Sequence, residues 1–358
     1  MKKSSVIYII NRVLPLLSLL VYFMKPETSA GVYATLMSIM LMGCVLCGVH
    51  HAEIVALKVG EPFGTLVLAI SITIIEVALI LTLQAAGGDS ASTYARDTVL
   101  AAIIIIITGI VGMCLLVGGL RHKEQRFSIH GMSAAVMTLT AISLCTLILP
   151  NYTSSSPGPY YNKSQLIFVS IVSLVLYLSF VFVQAVRHRE YFLPNEEEGE
   201  EHAAPPTMKQ TIISFLLLIV SLVGVVLLAK SVSPTLEKLI DNAGAPKSLV
   251  GVIIAMVILL PEGIAALKNA INDRLQTSLN LALGSALASI GLTIPAVAMY
   301  SVFEGTTLTL GIDIKSTILL LFSIYLLSSS FRTGRTTIMQ GIVLLILFAT
   351  YLFLSIVP

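Results

Sequence analysis

The chain has 358 residues, of which 56% are hydrophobic and only 11% charged, with a formal net charge of +2. A soluble domain carries about 25% charged residues, so this chain cannot cover a surface with ionic groups, and lipid must be its solvent. No basic cluster suits nucleic acid. The six histidines lie mostly at the boundaries of apolar runs or in an acidic loop, which argues against a membrane-embedded metalloenzyme.

In chain order, eleven apolar runs are long enough to cross a hydrocarbon core, which takes about 20 residues of helix. They span 6–24, 31–57, 64–85, 97–120, 131–150, 164–186, 210–230, 247–271, 276–300, 314–331 and 336–357. Backbone groups in lipid must bond internally, and the runs are too long for barrel strands. The expected fold is therefore an all-α integral membrane protein with about eleven transmembrane helices. The first run follows Lys2-Lys3 and is expected to stay as an uncleaved span, since Thr28-Ser29-Ala30 is a weak cleavage site. Cys44, Cys47, Cys114 and Cys145 all lie inside apolar runs, where neither disulfides nor a soluble redox motif are expected. His50-His51 beside Glu53 reads as an interfacial pair, with metal ligation as the alternative.

Lys and Arg set the orientation. With a cytoplasmic N-terminus, fourteen of the 21 basic side chains fall inside and seven outside. The C-terminus is then periplasmic or extracellular. One extended internal loop, Arg187 to Lys209, holds Glu196, Glu197, Glu198, Glu200 and Glu201 and then Pro205-Pro206. It is either a solvated linker or a regulatory, cation-sensing segment.

The flanks of this loop repeat each other. Glu53, Gly60 and Pro62 recur as Glu237, Gly244 and Pro246 with equal spacing. The next span carries Glu76 in the first copy and Pro261-Glu262 in the second. Further on, Gly112 and Gly119-Leu120 match Gly284 and Gly291-Leu292. The same order of matches argues for duplication. The expected organisation is an N-terminal helix (1–30), a five-helix repeat (31–186), the acidic cytoplasmic loop (187–209) and a second five-helix repeat (210–358). Five is odd, so the second copy enters the membrane in the opposite sense, the arrangement that permits alternating access.

Glu76 and Glu262 fall roughly 15–22 Å from their span ends at about 1.5 Å per residue. A midplane carboxylate costs roughly 2.5–3.5 kcal/mol on insertion scales and marks a functional site. Each acid is stable when protonated, or when ionised beside a cation, but not ionised and bare. Protons and a metal ion then compete for the same oxygens, and that competition is the coupling. Hard cations such as Ca²⁺ and Na⁺ suit oxygen ligands. Thr73, one turn before Glu76, offers a hydroxyl on the same face. Glu262, Ala266, Asn269 and Asp273 share a helical stripe that would wet a path to the site. Pro261 removes a backbone donor just before Glu262. Ser278, Ala282, Ser285 and Ser289 form a second stripe, with Ser285 and Ser289 as candidate ligands. Gly284 and Gly291 would allow close helix approach. Packing alone remains the other reading of these small residues. Glu53 and Glu237, near span ends, are structural or vestibule groups.

These stretches resemble the cation/proton exchangers of the calcium:cation antiporter superfamily, in the branch of bacterial sodium/calcium–proton antiporters of the ChaA type. The resemblance is carried by His50-His51-Ala52-Glu53, Gly60-Glu61-Pro62-Phe63-Gly64-Thr65 and Ile74-Ile75-Glu76-Val77-Ala78-Leu79. In the second half it is carried by Leu259-Leu260-Pro261-Glu262-Gly263, Asn272-Asp273-Arg274-Leu275-Gln276 and Leu283-Gly284-Ser285-Ala286. It covers essentially the whole chain. It implies one helix plus two inverted sets of five, cation extrusion driven by inward proton flow, and essential acids at Glu76 and Glu262. In the calcium exchangers those acids follow Gly-Asn-Ala. Here Ile-Thr-Ile-Ile and Val-Ile-Leu-Leu-Pro stand before them, which favours Na⁺ or K⁺ as a co-substrate.

The expected activity is export of Ca²⁺ and Na⁺, with K⁺ as a further cargo, in exchange for H⁺ across a bacterial inner membrane. The protein is expected to be a transporter and not an enzyme. Its partners are lipid, inorganic cations and protons, with no cofactor, no nucleic acid and a homo-oligomer left open. A cation channel or an ion-sensing membrane protein is the alternative.

Overall fold

A computed structural model describes residues 2–24, 30–60, 63–86, 91–193, 206–242, 244 and 246–357. Eleven helices make up nearly all of it. They are α1 (Lys2–Met24), α2 (Ala30–Val59), α3 (Phe63–Ala86), α4 (Tyr94–His122), α5 (Ile129–Tyr152), α6 (Lys163–Arg187), α7 (Met208–Asn242), α8 (Leu249–Ile271), α9 (Leu275–Glu304), α10 (Ile314–Phe331) and α11 (Ile338–Ile356). Ten of these, α2 to α11, are long and apolar enough to cross a membrane. The first contains a shorter apolar stretch, Ile10–Met24.

Ten of the helix positions follow the apolar runs within a few residues. The largest difference is α7, whose apolar run ends at Lys230 but whose helix continues to Asn242. Beyond Lys230 the sequence turns polar without a glycine until Gly244, which takes φ +64°. Hydropathy marks where a helix leaves lipid, and the left-handed glycine marks where it stops. Glu237 therefore lies within α7. The acidic loop 196–201 falls outside the described residues.

The helices group into two compact units, each drawing on both halves of the sequence. The first unit, residues 1–91 and 202–250, holds α1, α2, α3 and α7. Its helices approach through small residues, as lipid-embedded interfaces require in the absence of a hydrophobic driving force. A Cβ at Gly48 of α2 would stand 3.2 Å from Ile75 of α3 and 3.4 Å from Ser221 of α7. A Cβ at Gly224 of α7 would stand 3.0 Å from the Cys44 sulfur. Ser18 of α1, fully buried, donates to the Pro15 carbonyl at 2.7 Å and lies 2.9 Å from Cys44 Sγ.

The second unit, residues 92–201 and 251–358, holds α4 to α6 and nearly all of α8 to α11. Its centre is α4, which is 83% buried over its apolar window, with α9 at 72%; α10 and α11, at 28% and 17%, present most of their faces outward. A helix apolar all round belongs inside, and α4 is that, from Val99 to Ile107 without an exposed residue. It crosses α11 at Gly112, where a Cβ would be 3.1 Å from Leu344, and at Gly341, where a Cβ would overlap the Leu116 amide. Two buried hydroxyls satisfy themselves on the preceding turn, Thr108 on Ile104 and Thr146 on Ile142. Two short strands, β1 (Gln125–Arg126) and β2 (Arg335–Thr336), pair antiparallel at one end.

Candidate ion-binding site

In the second unit the site is built on α8 and α9. Pro261 lies inside α8 and has no N–H, so the Val257 carbonyl loses its usual helical donor. That leaves a hard oxygen one turn before Glu262. The Glu262 side chain is buried, at 8% exposure, and its Oε2 accepts a hydrogen bond from Ser285 Oγ of α9 at 2.7 Å. A hydroxyl donating to a carboxylate can rotate to turn its lone pairs toward an arriving cation. Ser289, one turn on and buried, opens a π-helical turn, Ser289–Thr293. Such turns recur at functional sites because they leave a carbonyl out of the regular ladder.

The other second-unit residues of the two stripes are placed as follows. Ser278 donates to the Ala266 carbonyl at 2.7 Å and ties α9 to α8. Ala266 is fully buried, so the stripe from Glu262 is closed one turn below the acid. Asp273 lies off that stripe altogether, because α8 ends at Ile271 and Asp273 sits in the turn at φ +59°. A period-3.6 argument fails where the helix has ended. Asn269 is half-buried near the end of α8, and its carbonyl accepts from the Asn272 and Arg274 amides. Gly291 does allow close approach, with a Cβ there only 2.7 Å from Tyr177 of α6. Gly284 does not, since no heavy atom lies within 4 Å of its missing Cβ.

In the first unit, Glu76 of α3 is 3% exposed and Thr73, one turn before it, is 7% exposed. The pair is buried together with Ser71 in a predominantly aliphatic helix. Glu53 of α2 is half-exposed, 3.9 Å from His50. His51 is buried, with Nε2 2.9 Å from the Asn11 carbonyl of α1. His51 thus joins α2 to α1, and a cavity of about 140 Å³ opens beside the two histidines between α1, α2 and α7. Among the described residues no cluster of three or more His, Cys, Asp or Glu gathers to hold a metal ion.

A polar framework surrounds α8, and its members His122 and Gln125 had no signal in sequence. Gln125 of β1 donates to the Ala270 carbonyl at 3.1 Å and to Asp273 Oδ1 at 2.8 Å. His122, the last residue of α4, lies 2.9 Å from the Ile271 carbonyl. Gln276 accepts from the Ser128 amide, and Asn280 donates to the Phe192 carbonyl. At the other end, Arg96 joins Asp97 at 2.8 Å and the Gly311 carbonyl at 2.9 Å, and Asp97 packs against Gly251 of α8. The matched glycines Gly60 and Gly244 both adopt left-handed φ, +74° and +64°. The π-helical turns that begin at Ile105 in α4 and at Ser289 in α9 are separated by the same number of residues as those glycines. Pairing Gly112 with Gly284 does not keep that interval.

Comparison with known proteins gives a consistent result. The model of the sodium/calcium exchanger protein family matches residues 5–186 and 213–357. The y4hA protein of Sinorhizobium fredii is 44% identical over 89% of this chain and 87% of its own length. The sodium-potassium/proton antiporter ChaA of Escherichia coli is 32% identical over 98% of this chain and 95% of its own. Among solved structures, native YfkE superposes with a TM-score of 0.72 at 19% identity, covering 98% of this chain and 99% of that one. The H⁺/Ca²⁺ exchanger CAX gives 0.73 at 14% identity over 99% and 89%. At these identities the likeness is one of fold.

Proposed function

Because the chain belongs to the sodium/calcium exchanger protein family, we propose that it is a multi-pass secondary antiporter of the bacterial inner membrane that exports cytoplasmic Na⁺ and Ca²⁺, with K⁺ as a further cargo, for external protons. The observation that carries this reading is the buried Glu262 carboxylate with the Ser285 hydroxyl on its Oε2. An acid so placed is stable with a proton or with a cation, and passes from one to the other only by exchange. Glu76 and Thr73 supply the corresponding acid and hydroxyl in the first unit. Ser285, Ser289 and the Val257 carbonyl complete an oxygen shell for a hard cation. The full-length likeness to a sodium-potassium/proton antiporter supports monovalent cargo. A relative named as a Ca²⁺/H⁺ antiporter in Bacillus subtilis, 22% identical over 69% of this chain, supports Ca²⁺.

Alternating access follows if residues 31–186 and 210–358 are inverted repeats. The shared left-handed glycines at the ends of α2 and α7, and the equal interval between the π-helical turns, support that duplication. Positive-inside counting puts the N-terminus in the cytoplasm, and the acidic loop with it. In vesicles holding an imposed pH gradient, Na⁺, Ca²⁺ or K⁺ should each collapse the gradient. Glu262→Gln should slow that collapse by about 100-fold or more. Cation flux without proton counter-movement would instead indicate a channel, and wild-type exchange by Glu262→Gln would remove the residue from the mechanism.

A further inference from the structure

The end of α8 carries a feature that exchange at Glu262 does not use. His122 Nε2 stands 2.9 Å from the carbonyl of Ile271, the last residue of α8. A carbonyl only accepts, so Nε2 holds the ring's proton in the neutral form, and Nδ1 presents a lone pair. That lone pair faces Asp273 Oδ2 at 4.0 Å. Asp273 is held in place independently, since Gln125 Nε2 donates to its other oxygen, Oδ1, at 2.8 Å. Its backbone is left-handed at φ +59°, a conformation that Asp adopts more readily than most residues.

One proton therefore changes the contact. With His122 neutral, a lone pair opposes a carboxylate. With His122 protonated, Nε2 still donates to the end of α8, and the ring carries a positive charge 4.0 Å from the Asp273 carboxylate in the turn beyond it. Histidine is the side chain whose charge changes across the physiological range. The other charged groups nearby leave the sign unchanged. Glu124 pairs with Arg335 of β2 at 3.9 Å. Arg121 and Lys123 of the His122 segment, Lys268 of α8 and Arg274 of the turn are basic in both states. Asp273 is the acid at ion-pair distance from the ring.

We propose that His122 is a positioning residue that holds the end of α8, and so the Glu262–Ser285 pair, more firmly when the membrane face at this end is acidified. The inference rests on the reading that Glu262 carries the exchanged ions. Two effects of pH then oppose each other. Protons competing at Glu262 raise the apparent KM for Na⁺ as pH falls, while a protonated His122 lowers it by about two- to five-fold, the range for a partly exposed pair.

The test uses the full chain in vesicles, with pH at that face varied from about 5.5 to about 8.5 and Na⁺-driven proton flux as the readout. His122→Gln keeps an N–H for the Ile271 carbonyl and loses the titration, so its KM should climb more steeply on acidification than wild type. Asp273→Asn should behave alike with His122 intact. His122→Leu should raise KM at every pH while kcat stays within about two-fold. KM–pH profiles of His122→Gln and Asp273→Asn that superimpose on wild type overturn the proposal. Glu262→Gln, run beside them, separates the two failures. If it is inactive while the profiles superimpose, only the role of His122 falls; if it exchanges at the wild-type rate, the reading of Glu262 falls and this inference with it.

Discussion

The two units hold their acid-bearing helices by different means. In the first, the Gly60 and Gly64 amides bond backbone carbonyls where α3 follows α2, and α1, α2 and α7 meet at Gly48, Gly224, Ser18 and Cys44. In the second, the last carbonyls of α8 are taken by His122 and Gln125, and Ser278 ties α9 to α8. Small-residue contacts are non-directional, so a helix resting on them shifts at little cost. Hydrogen bonds to helix-end carbonyls fix both depth and rotation. The comparison teaches that two acids in the middle of apolar runs can sit on helices anchored by different kinds of contact.

The severest way to break the comparison is to neutralise the softer side. Glu76→Gln is expected to slow proton-coupled cation flux by about 100-fold or more, as Glu262→Gln does, if both acids must titrate. Flux within two-fold of wild type would leave the work to α8 alone. Removing the hydroxyl on the stiffer side is the next largest effect. Ser285→Ala forfeits a hydrogen bond to a charged group, worth about 1.5–3 kcal/mol, so apparent cation affinity should fall by about ten-fold or more. Ser285→Thr should restore most of it, and the affinity series in vesicles measures both.

Stability sharpens the same contrast. Gly341→Ala drives a Cβ into the Leu116 amide and should cost about 1–3 kcal/mol, read as a lower melting temperature in detergent. Gly60→Ala, at φ +74° with open space around it, should cost about 1–2 kcal/mol through backbone strain alone. The smallest effect is expected at Tyr161, in the 153–162 connection, whose phenol donates to the Cys145 carbonyl at 2.6 Å. Burial, with Cys145 adding to it, pushes this phenol up to about 12. A raised phenol stabilises the fold fully below its unfolded value of about 10 and loses that contribution as pH rises through about 12. Tyr161→Phe should therefore leave exchange unchanged from about pH 6 to about pH 9 and lower stability by about 1 kcal/mol. A pH-dependent change in flux within that window would contradict it.

Much of the architecture was legible in one dimension. The runs at 164–186 and 314–331 became α6 and α10 almost residue for residue. Glu76 and Glu262 stood out because ionisable groups inside such runs are rare. Ser285 could be put forward from a stripe of small residues, but the stripe by itself does not distinguish it from Ser278, which bonds the Ala266 carbonyl. Asp273 was misplaced by carrying helical period past Ile271. His122 and Gln125 gave no signal, since a polar residue at the end of an apolar run is the ordinary case.

What the amino-acid order determined by itself is the set of helices and their acids. The bilayer fixes a span's length, lipid forbids unpaired backbone, and a carboxylate in such a span must be employed. What the tertiary structure alone decided is which polar side chains serve which helix end. Gln125 and Asp273 lie 148 residues apart, as do Ser128 and Gln276. A partner at that distance is chosen by packing, because any of several polar side chains satisfies a helix-end carbonyl and only the fold brings one of them within about 3 Å.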